Sequence, residues 1–189
     1  MQKTGRDMHT ENNPSHGALL IIDVQRGIFE KSTPVYLAEQ LLENLNLLID
    51  KAHAQSVPVI FVQHANESFL KKGSDAWQLH PAIQPRNDEV IIHKCHGDAF
   101  VETDLQAELD KRDVSILVIT GLVTQGCIRA TSLGALGKDY QVILISDGHS
   151  TYSKGAAKLI EQWNQTLNEK GTDLIATKEI DFLGISIES

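Results

Sequence analysis

The chain has 189 residues, with 17 Lys plus Arg against 25 Asp plus Glu, so its formal net charge is −8. This acidic balance argues against binding to a nucleic-acid backbone, because proteins that bind phosphates usually present a basic face. Hydrophobic residues make up 41% of the chain, which is enough for a packed core and unlike a disordered sequence. The length fits one domain or at most two small ones.

The number of cysteines and the polarity of the first residues indicate the cellular compartment. Cys95 and Cys127 are too few for a disulfide framework and favour a reducing environment. No apolar stretch is long enough to span a membrane, and residues 1–17 are too polar for the core of a signal peptide. We therefore expect a cytoplasmic protein without membrane or nucleic-acid partners, with a flexible arm over 1–17 and a single domain over 18–189.

Six short runs rich in Val, Ile and Leu predict β-strands. They cover residues 18–23, 57–63, 89–94, 114–120, 141–147 and 173–177. The runs are nearly continuous in apolar residues, as expected of strands that are covered on both faces. Segments with helical periodicity separate them. The sequence therefore predicts an α/β fold, a three-layer doubly wound sandwich with a six-stranded, mostly parallel sheet and helices on both faces.

The first of the long helices is predicted after the first strand. Thr33 is suited to cap it and Pro34 to occupy its first position. Leucines recur at helical spacing beyond that point and predict one buried face. They are Leu37, Leu41, Leu45 and Leu48.

Three further helices are predicted from their end signals. Thr103 and Gln106 have the spacing of a capping box, which predicts a helix that begins there. Another begins near Gly126, directly after the fourth strand. The last covers residues 153–170 and ends at Gly171, since glycine is favoured just beyond a helix.

Three reactive side chains fall at the carboxyl ends of predicted strands, where ligands bind in parallel sheets. Asp23 ends the first strand, Lys94 ends the third, and Cys127 follows the fourth at a strand-to-helix turn. A helix N-terminus and a nearby ammonium both lower the pKa of a thiol. An aspartate can take the thiol proton and return it to a leaving amine. Taken alone, each residue is better explained by structure, Asp23 as a cap or turn residue, Lys94 as a solvated strand end and Cys127 as a core cysteine, so the hypothesis depends on their joint placement.

Around these residues the sequence resembles the isochorismatase-like cysteine hydrolases over residues 18–177. That superfamily includes nicotinamidases, N-carbamoylsarcosine amidases, ureidoacrylate and biuret amidohydrolases, and isochorismatase. Three segments carry the resemblance: LLIIDVQRGIF, with Asp23 and Gln25; HKCHGDAFVETDL, with Lys94; and GLVTQGCIRATSLGALGKDYQVILISD, with Cys127. The third is the longest and the most specific.

The resemblance implies roles for the residues that match. Cys127 would be the nucleophile, Asp23 the general base and acid, and Lys94 the third member of a triad. A non-proline cis peptide would fall at Leu122–Val123, and the backbone amides of Val123 and Cys127 would form the oxyanion hole.

The implied function is hydrolysis of a C–N bond in a small amide, carbamoyl or ureido substrate through a thioester. Isochorismatase itself lacks the cysteine, so Cys127 favours C–N cleavage. Two alternatives stay open. One is isochorismatase-type vinyl-ether hydrolysis that uses Asp23, and the other is a non-catalytic small-molecule-binding or thiol-responsive protein on the same fold. The sequence does not identify the substrate.

Residues near the strand ends are candidates for substrate binding, although ordinary packing explains each of them equally well. The long stretch over 64–88 is predicted to be a loop that forms a lid or a pocket wall. The candidates are Phe29, Trp77, His80 and Phe100.

A metal or cofactor is not expected. Metal-binding nicotinamidases carry Asp-x-His after the second strand and a further histidine, whereas this chain has Gln63, His64 and Asn66 there. One histidine without a carboxylate and a second histidine is a weak metal site, so participation of His64 stays open. The only partners expected are a small-molecule substrate and, by the resemblance, other copies of the chain in a dimer or tetramer.

Overall fold

The computed structural model describes residues 16–183. Six parallel strands form one sheet in the order β3-β2-β1-β4-β5-β6. This confirms the predicted α/β fold and all six strands, and shows a sheet that is entirely rather than mostly parallel. The strands are β1 (His16–Ile22), β2 (Val59–His64), β3 (Val90–Lys94), β4 (Val114–Leu122), β5 (Gln141–Ser150) and β6 (Asp173–Ile175).

Helices cover both faces of the sheet and create two separate cores. The helices are α1 (Arg26–Phe29), α2 (Ala38–Ala54), α3 (Leu105–Asp110), α4 (Arg129–Leu136) and α5 (Ala156–Glu169). The apolar stripe of α2 enters one core (the α2 core), while residues of α3, α4 and α5 enter the other (the α3–α5 core).

The central strand β1 shows why its sequence is continuously apolar. Leu19 and Ile21 face the α2 core, while Leu20 and Ile22 face the α3–α5 core. Successive side chains of a strand point to opposite faces. A strand that is buried on both faces must therefore be apolar at every position, and the usual alternation disappears.

Helix α2 begins at Ala38, so the start predicted at Thr33 is wrong. Val35 is buried in the α2 core, and the backbone N–H of Tyr36 donates to the carbonyl of Thr151 at 2.9 Å. These contacts hold the chain in a non-helical path up to Leu37, whose φ is 47°. Leu37 is 61% exposed and does not join the buried leucines of the helix. Tertiary contacts thus outweigh a local capping signal.

The capping box predicted at the start of α3 does not form. The hydroxyl of Thr103 accepts the N–H of Leu105 at 3.2 Å, as a cap would. The side-chain amide of Gln106, however, donates to Asp110 and to the hydroxyl of Tyr140. The atom that would accept the backbone N–H of Thr103, Oε1 of Gln106, is buried without a partner among residues 16–183, so the reciprocal half of the box is absent.

The remaining boundaries differ by a few residues from prediction. Residues 124–128 form a wide π-type turn, so α4 begins at Arg129 and not at Gly126. Helix α5 begins at Ala156, and Gly171 follows its end with φ 114°, a conformation that favours glycine.

Residues at both ends of the chain lie outside the part that the structure describes. His16 and Gly17 belong to β1, so the predicted arm is shortened, and residues 1–15 lie outside the described residues. Within 16–183 no helix is both long and apolar enough to cross a membrane.

Candidate active site

Four neighbouring strands each place one reactive side chain at the carboxyl edge of the sheet. Lys94 is the last residue of β3, His64 the last of β2, Asp23 follows β1, and Cys127 lies beyond β4. Lys94 and His64 are also paired in the β2–β3 register. The topology therefore brings together the three residues predicted from sequence and adds His64 to them.

Asp23 and Lys94 form a buried ion pair. Nζ of Lys94 donates to Oδ2 of Asp23 at 2.8 Å. Lys94 is only 1% exposed and Asp23 only 2%. Oδ1 of Asp23 is buried as well, but no group within residues 16–183 donates a hydrogen bond to it. A buried carboxylate oxygen without a donor is costly, so this atom is the natural acceptor for a proton that arrives at the site.

Cys127 lies in the wide turn between β4 and α4. Its side chain is half-buried, and its Sγ lies within 4.8 Å of the ligand atoms of Asp23 and His64. A Cβ on Gly121 would stand 2.1 Å from the carbonyl oxygen of Ile22, so only glycine allows β4 to approach β1 this closely. The turn is thus held directly beside Asp23.

The peptide bond Leu122–Val123 is cis, as the resemblance implied. It precedes the turn that carries Cys127. The use of the Val123 and Cys127 amides as an oxyanion hole stays a prediction.

The expected lowering of the thiol pKa is wrong in direction. The pKa of Cys127 is raised to about 12: burial is the largest cause, the carboxylate of Asp23 acts in the same direction, and Lys94 opposes both. The ammonium acts in the predicted sense, but desolvation and a like charge outweigh it. At neutral pH the resting sulfur is therefore a protonated thiol.

The two basic groups of the site are shifted in opposite directions. Burial is the largest influence on Lys94 and lowers its pKa, but the charge of Asp23, the charge that Cys127 carries as a thiolate, and side-chain hydrogen bonds to both residues outweigh it and leave the pKa raised. Burial lowers the pKa of His64, and the nearby Lys94 ammonium lowers it further. Lys94 is consequently charged and His64 neutral at neutral pH.

Gln25 connects this site to the long loop that follows β2. Its Nε2 donates to the carbonyl of Trp77 at 2.7 Å and to that of His64 at 3.0 Å, while its Oε1 accepts the backbone N–H of His64 at 2.9 Å. The resemblance had noted Gln25 only as the residue that follows Asp23. Its role as a clamp on His64 depends on a residue 39 positions away, which no local sequence signal shows.

A second polar network supports the turn from behind. His149 lies on β5 and its Nδ1 is 2.9 Å from the hydroxyl of Thr124, the first residue of the turn. Nε2 of His149 is 2.7 Å from Oδ1 of Asn164 on α5. The sequence does not predict this network. The only available signal was the polar run GHST at residues 148–151, which follows the predicted fifth strand.

Phe29 and His80 contact each other. Their ring centroids are 4.5 Å apart, and both are partly buried. The contact joins α1 to the loop over 64–88, whose only helical segment is a short 3₁₀ turn at Asp75–Trp77. The prediction of a loop is confirmed, while its role as a lid or pocket wall and the role of these two rings in substrate binding stay predictions.

Trp77 and Phe100 lie in different cores, on opposite faces of the sheet. Both are 8% exposed. The Trp77 ring packs edge-on against His93, and the Phe100 ring stacks on Tyr140. These ring contacts are packing contacts, and a role of the two residues in substrate binding stays a prediction.

The site also contains a donor set of the kind that binds zinc. Single ligand atoms of Asp23, His64 and Cys127 all lie within 4.8 Å of one another. The Lys94 ammonium already donates to Asp23 and lies 3.3 Å from Nδ1 of His64. A cation that joined these ligands would have to displace or repel that ammonium.

Comparison with known proteins identifies the family of the chain. A profile of the Isochorismatase domain family matches residues 17–175. The chain belongs to the isochorismatase family of hydrolases. Its fold matches a crystal structure of an isochorismatase family protein with TM-score 0.81 and 29% identity, over 87% of this chain and 100% of that one.

Two curated relatives of this isochorismatase-family chain carry more specific names. One is a streptothricin hydrolase of Streptomyces noursei, 30% identical over 142 residues, which are 74% of this chain and 51% of that protein. The other is Nicotinamidase 3 of Arabidopsis thaliana, 27% identical over 158 residues, which are 75% of this chain and 77% of that protein. The chain thus spans about half the length of the streptothricin hydrolase that it matches.

Proposed function

We propose that this protein hydrolyses a C–N bond of a small amide, carbamoyl or ureido compound through a thioester on Cys127. The single observation that carries the proposal is that the two carboxylate oxygens of Asp23 have different hydrogen-bond partners. Lys94 occupies Oδ2, whereas Oδ1 is buried without a hydrogen-bond donor among residues 16–183, and the carboxylate lies within 4.8 Å of the half-buried thiol. This is the arrangement that a base for the thiol requires.

The raised thiol pKa determines how the first step proceeds. Because the resting sulfur is protonated, the proton passes from Sγ of Cys127 to Oδ1 of Asp23 as the sulfur attacks the substrate carbonyl. The C–S bond forms while the π electrons of the carbonyl move to its oxygen. The backbone amides of Val123 and Cys127 would stabilise that oxyanion. Lys94 keeps Oδ2 oriented throughout.

The second half of the reaction reuses the same carboxyl group. As the tetrahedral intermediate collapses, Asp23 returns the proton to the leaving nitrogen, the C–N bond breaks, and ammonia or an amine departs. A water molecule then gives a proton to Asp23 and attacks the thioester, the C–S bond breaks, and the thiolate recovers its proton. One carboxyl group thus acts as base and acid in turn.

The test is a panel of small amides, carbamoyl compounds and ureas scored for release of ammonia or amine. The panel includes nicotinamide and streptothricin because of the two named relatives. Cys127→Ala should lower turnover of an active compound by at least about a thousandfold, a loss that removal of a catalytic nucleophile typically causes. Acyl-enzyme should accumulate in the parent protein and be detectable as a mass increase on the peptide that carries Cys127.

Unchanged turnover in Cys127→Ala would refute the proposal. If the panel gave no turnover but a vinyl ether were hydrolysed, with an activity that survives Cys127→Ala and is abolished by Asp23→Asn, the protein would be a vinyl-ether hydrolase of the isochorismatase type. A panel without any turnover, combined with tight binding of one compound, would favour the non-catalytic alternative.

A further inference from the structure

The Lys94 ammonium has three donors, and three acceptors meet them in the structure. They are Oδ2 of Asp23 at 2.8 Å, the carbonyl oxygen of His96 at 3.2 Å and Nδ1 of His64 at 3.3 Å. An ammonium group only donates, so Nδ1 of His64 must accept and the ring proton must lie on Nε2. His64 thereby completes the acceptor set of a lysine that is 1% exposed.

The backbone of His64 is held as firmly as its ring. Both the N–H and the C=O of His64 are bonded to the side chain of Gln25, which is itself fully buried. The next residue, Ala65, donates its N–H to the carbonyl of Lys94 at 2.8 Å. The ring is therefore positioned by two neighbouring strands and a buried amide, as a group with a fixed orientation requires.

We propose that His64 is a positioning residue that acts through Lys94. By accepting the third N–H it fixes the ammonium, which in turn orients Asp23 so that Oδ1 faces the thiol of Cys127. The inference deepens the proposed function, on which it rests, by adding a fourth residue to the predicted triad. In this arrangement the ammonium takes the place that a cation would have among the ligand atoms of Asp23, His64 and Cys127.

The proposal predicts a dependence on the protonation of His64. A protonated ring cannot accept from Lys94 and would repel it. The charged or titratable groups that face His64 are Asp23 from β1, Lys94 from β3, His96 from the following loop and Cys127 from the turn. Because burial and Lys94 lower the pKa of His64, the loss of activity should begin below the ordinary range of histidine.

The experiment compares two near-isosteric replacements. His64→Asn keeps an acceptor at the position of Nδ1, whereas His64→Leu has the same branching without an acceptor. On a confirmed substrate, His64→Leu should lower kcat by about 10- to 100-fold with little change in KM, the range seen when an orienting partner is lost. His64→Asn should recover most of kcat. The acid limb of its pH–kcat profile should move to lower pH, because His64 no longer titrates and only the remaining groups do.

A second readout needs no substrate and so separates this proposal from the proposed function. In a Cys95→Ser background, Cys127 is the only thiol, and its alkylation by iodoacetamide can be followed as a function of pH. Since Lys94 lowers the thiol pKa, a misplaced ammonium should slow alkylation in His64→Leu. We expect a rate about three- to tenfold below that of the parent at pH 8, equivalent to half to one unit of thiol pKa, with His64→Asn close to the parent.

Three outcomes would overturn the inference. Equal kcat and equal alkylation in the Asn and Leu variants would mean that the ring acts by packing alone. Parent-like behaviour of His64→Leu would mean that the third acceptor is unnecessary. In the third outcome, a chelator abolishes the activity of the parent and zinc restores it, but His64→Asn shows neither effect. That result would make His64 a metal ligand instead.

Discussion

Two polar clusters that each contain a histidine flank the turn carrying Cys127, and they differ in how completely their atoms are paired. At the carboxyl edge, Asp23 and Lys94 are charged and buried, yet Oδ1 of Asp23 lacks a donor. Behind the turn, both ring nitrogens of His149 have partners, in Thr124 and Asn164. The first cluster holds an unpaired acceptor in a half-open site, and the second has none on its histidine.

The difference distinguishes a reactive cluster from a structural one. A buried polar network in which every atom is paired rigidifies its surroundings and has nothing left to exchange with a substrate. A network with one unpaired acceptor carries an energetic cost that a proton or substrate donor relieves. We therefore interpret the Asp23 cluster as reactive and the His149 cluster as a brace for the turn.

The largest test of this contrast uses the buried ion pair. Lys94→Met should destabilise the protein by about 3–5 kcal/mol, because it leaves the Asp23 carboxylate buried and unpaired. Adding Asp23→Asn should recover much of that loss, since the isolated charge disappears while the shape is kept. The free energy of unfolding is measured with urea at pH 7. Simple additivity of the two changes would show that the pair is not coupled in the folded state.

The second test uses the pH dependence of stability. Burial lowers the pKa of His149 from 6.5 to about 4. Between these values the unfolded chain binds a proton that the folded state excludes, so stability falls as pH drops from about 6.5 towards 4. The difference between the two pKa values is equivalent to about 3 kcal/mol.

The matched variant for this test is His149→Gln, which keeps hydrogen-bonding capacity but cannot titrate. Its midpoint of thermal unfolding should fall less steeply between pH 7 and pH 5 than that of the parent. His64, His80 and His93 also have lowered pKa values and contribute the same sign in both proteins. Parallel pH profiles would mean that His149 titrates normally.

The smallest expected effect tests the brace itself. Thr124→Val removes the hydroxyl partner of His149 while it keeps the shape of the side chain, and should cost about 1–2 kcal/mol of stability. Thr124→Ser retains the hydroxyl and should behave like the parent. Urea unfolding of both variants provides the measurement. A Val variant as stable as the Ser variant would show that the hydrogen bond contributes nothing.

Local sequence was sufficient for the strands and for the three residues that end or follow them. Apolar runs mark buried strands, and the carboxyl ends of parallel strands share one edge, so Asp23, Lys94 and Cys127 could be placed together before any coordinates. The same reasoning failed at Thr33 and Gln106. Their capping signals were overridden by Thr151 and Tyr140, partners that are distant in sequence.

The amino-acid sequence by itself determined the order of the strands and of the four longer helices, the edge of the sheet where the chemistry lies, and the family to which the chain belongs. Only the tertiary structure decided the protonation of Cys127, the pairing of His64 with Lys94 and the brace around His149. The reason is that strand position is a local property of the chain. A pKa or a hydrogen bond instead depends on burial and on distances between groups that come from different strands.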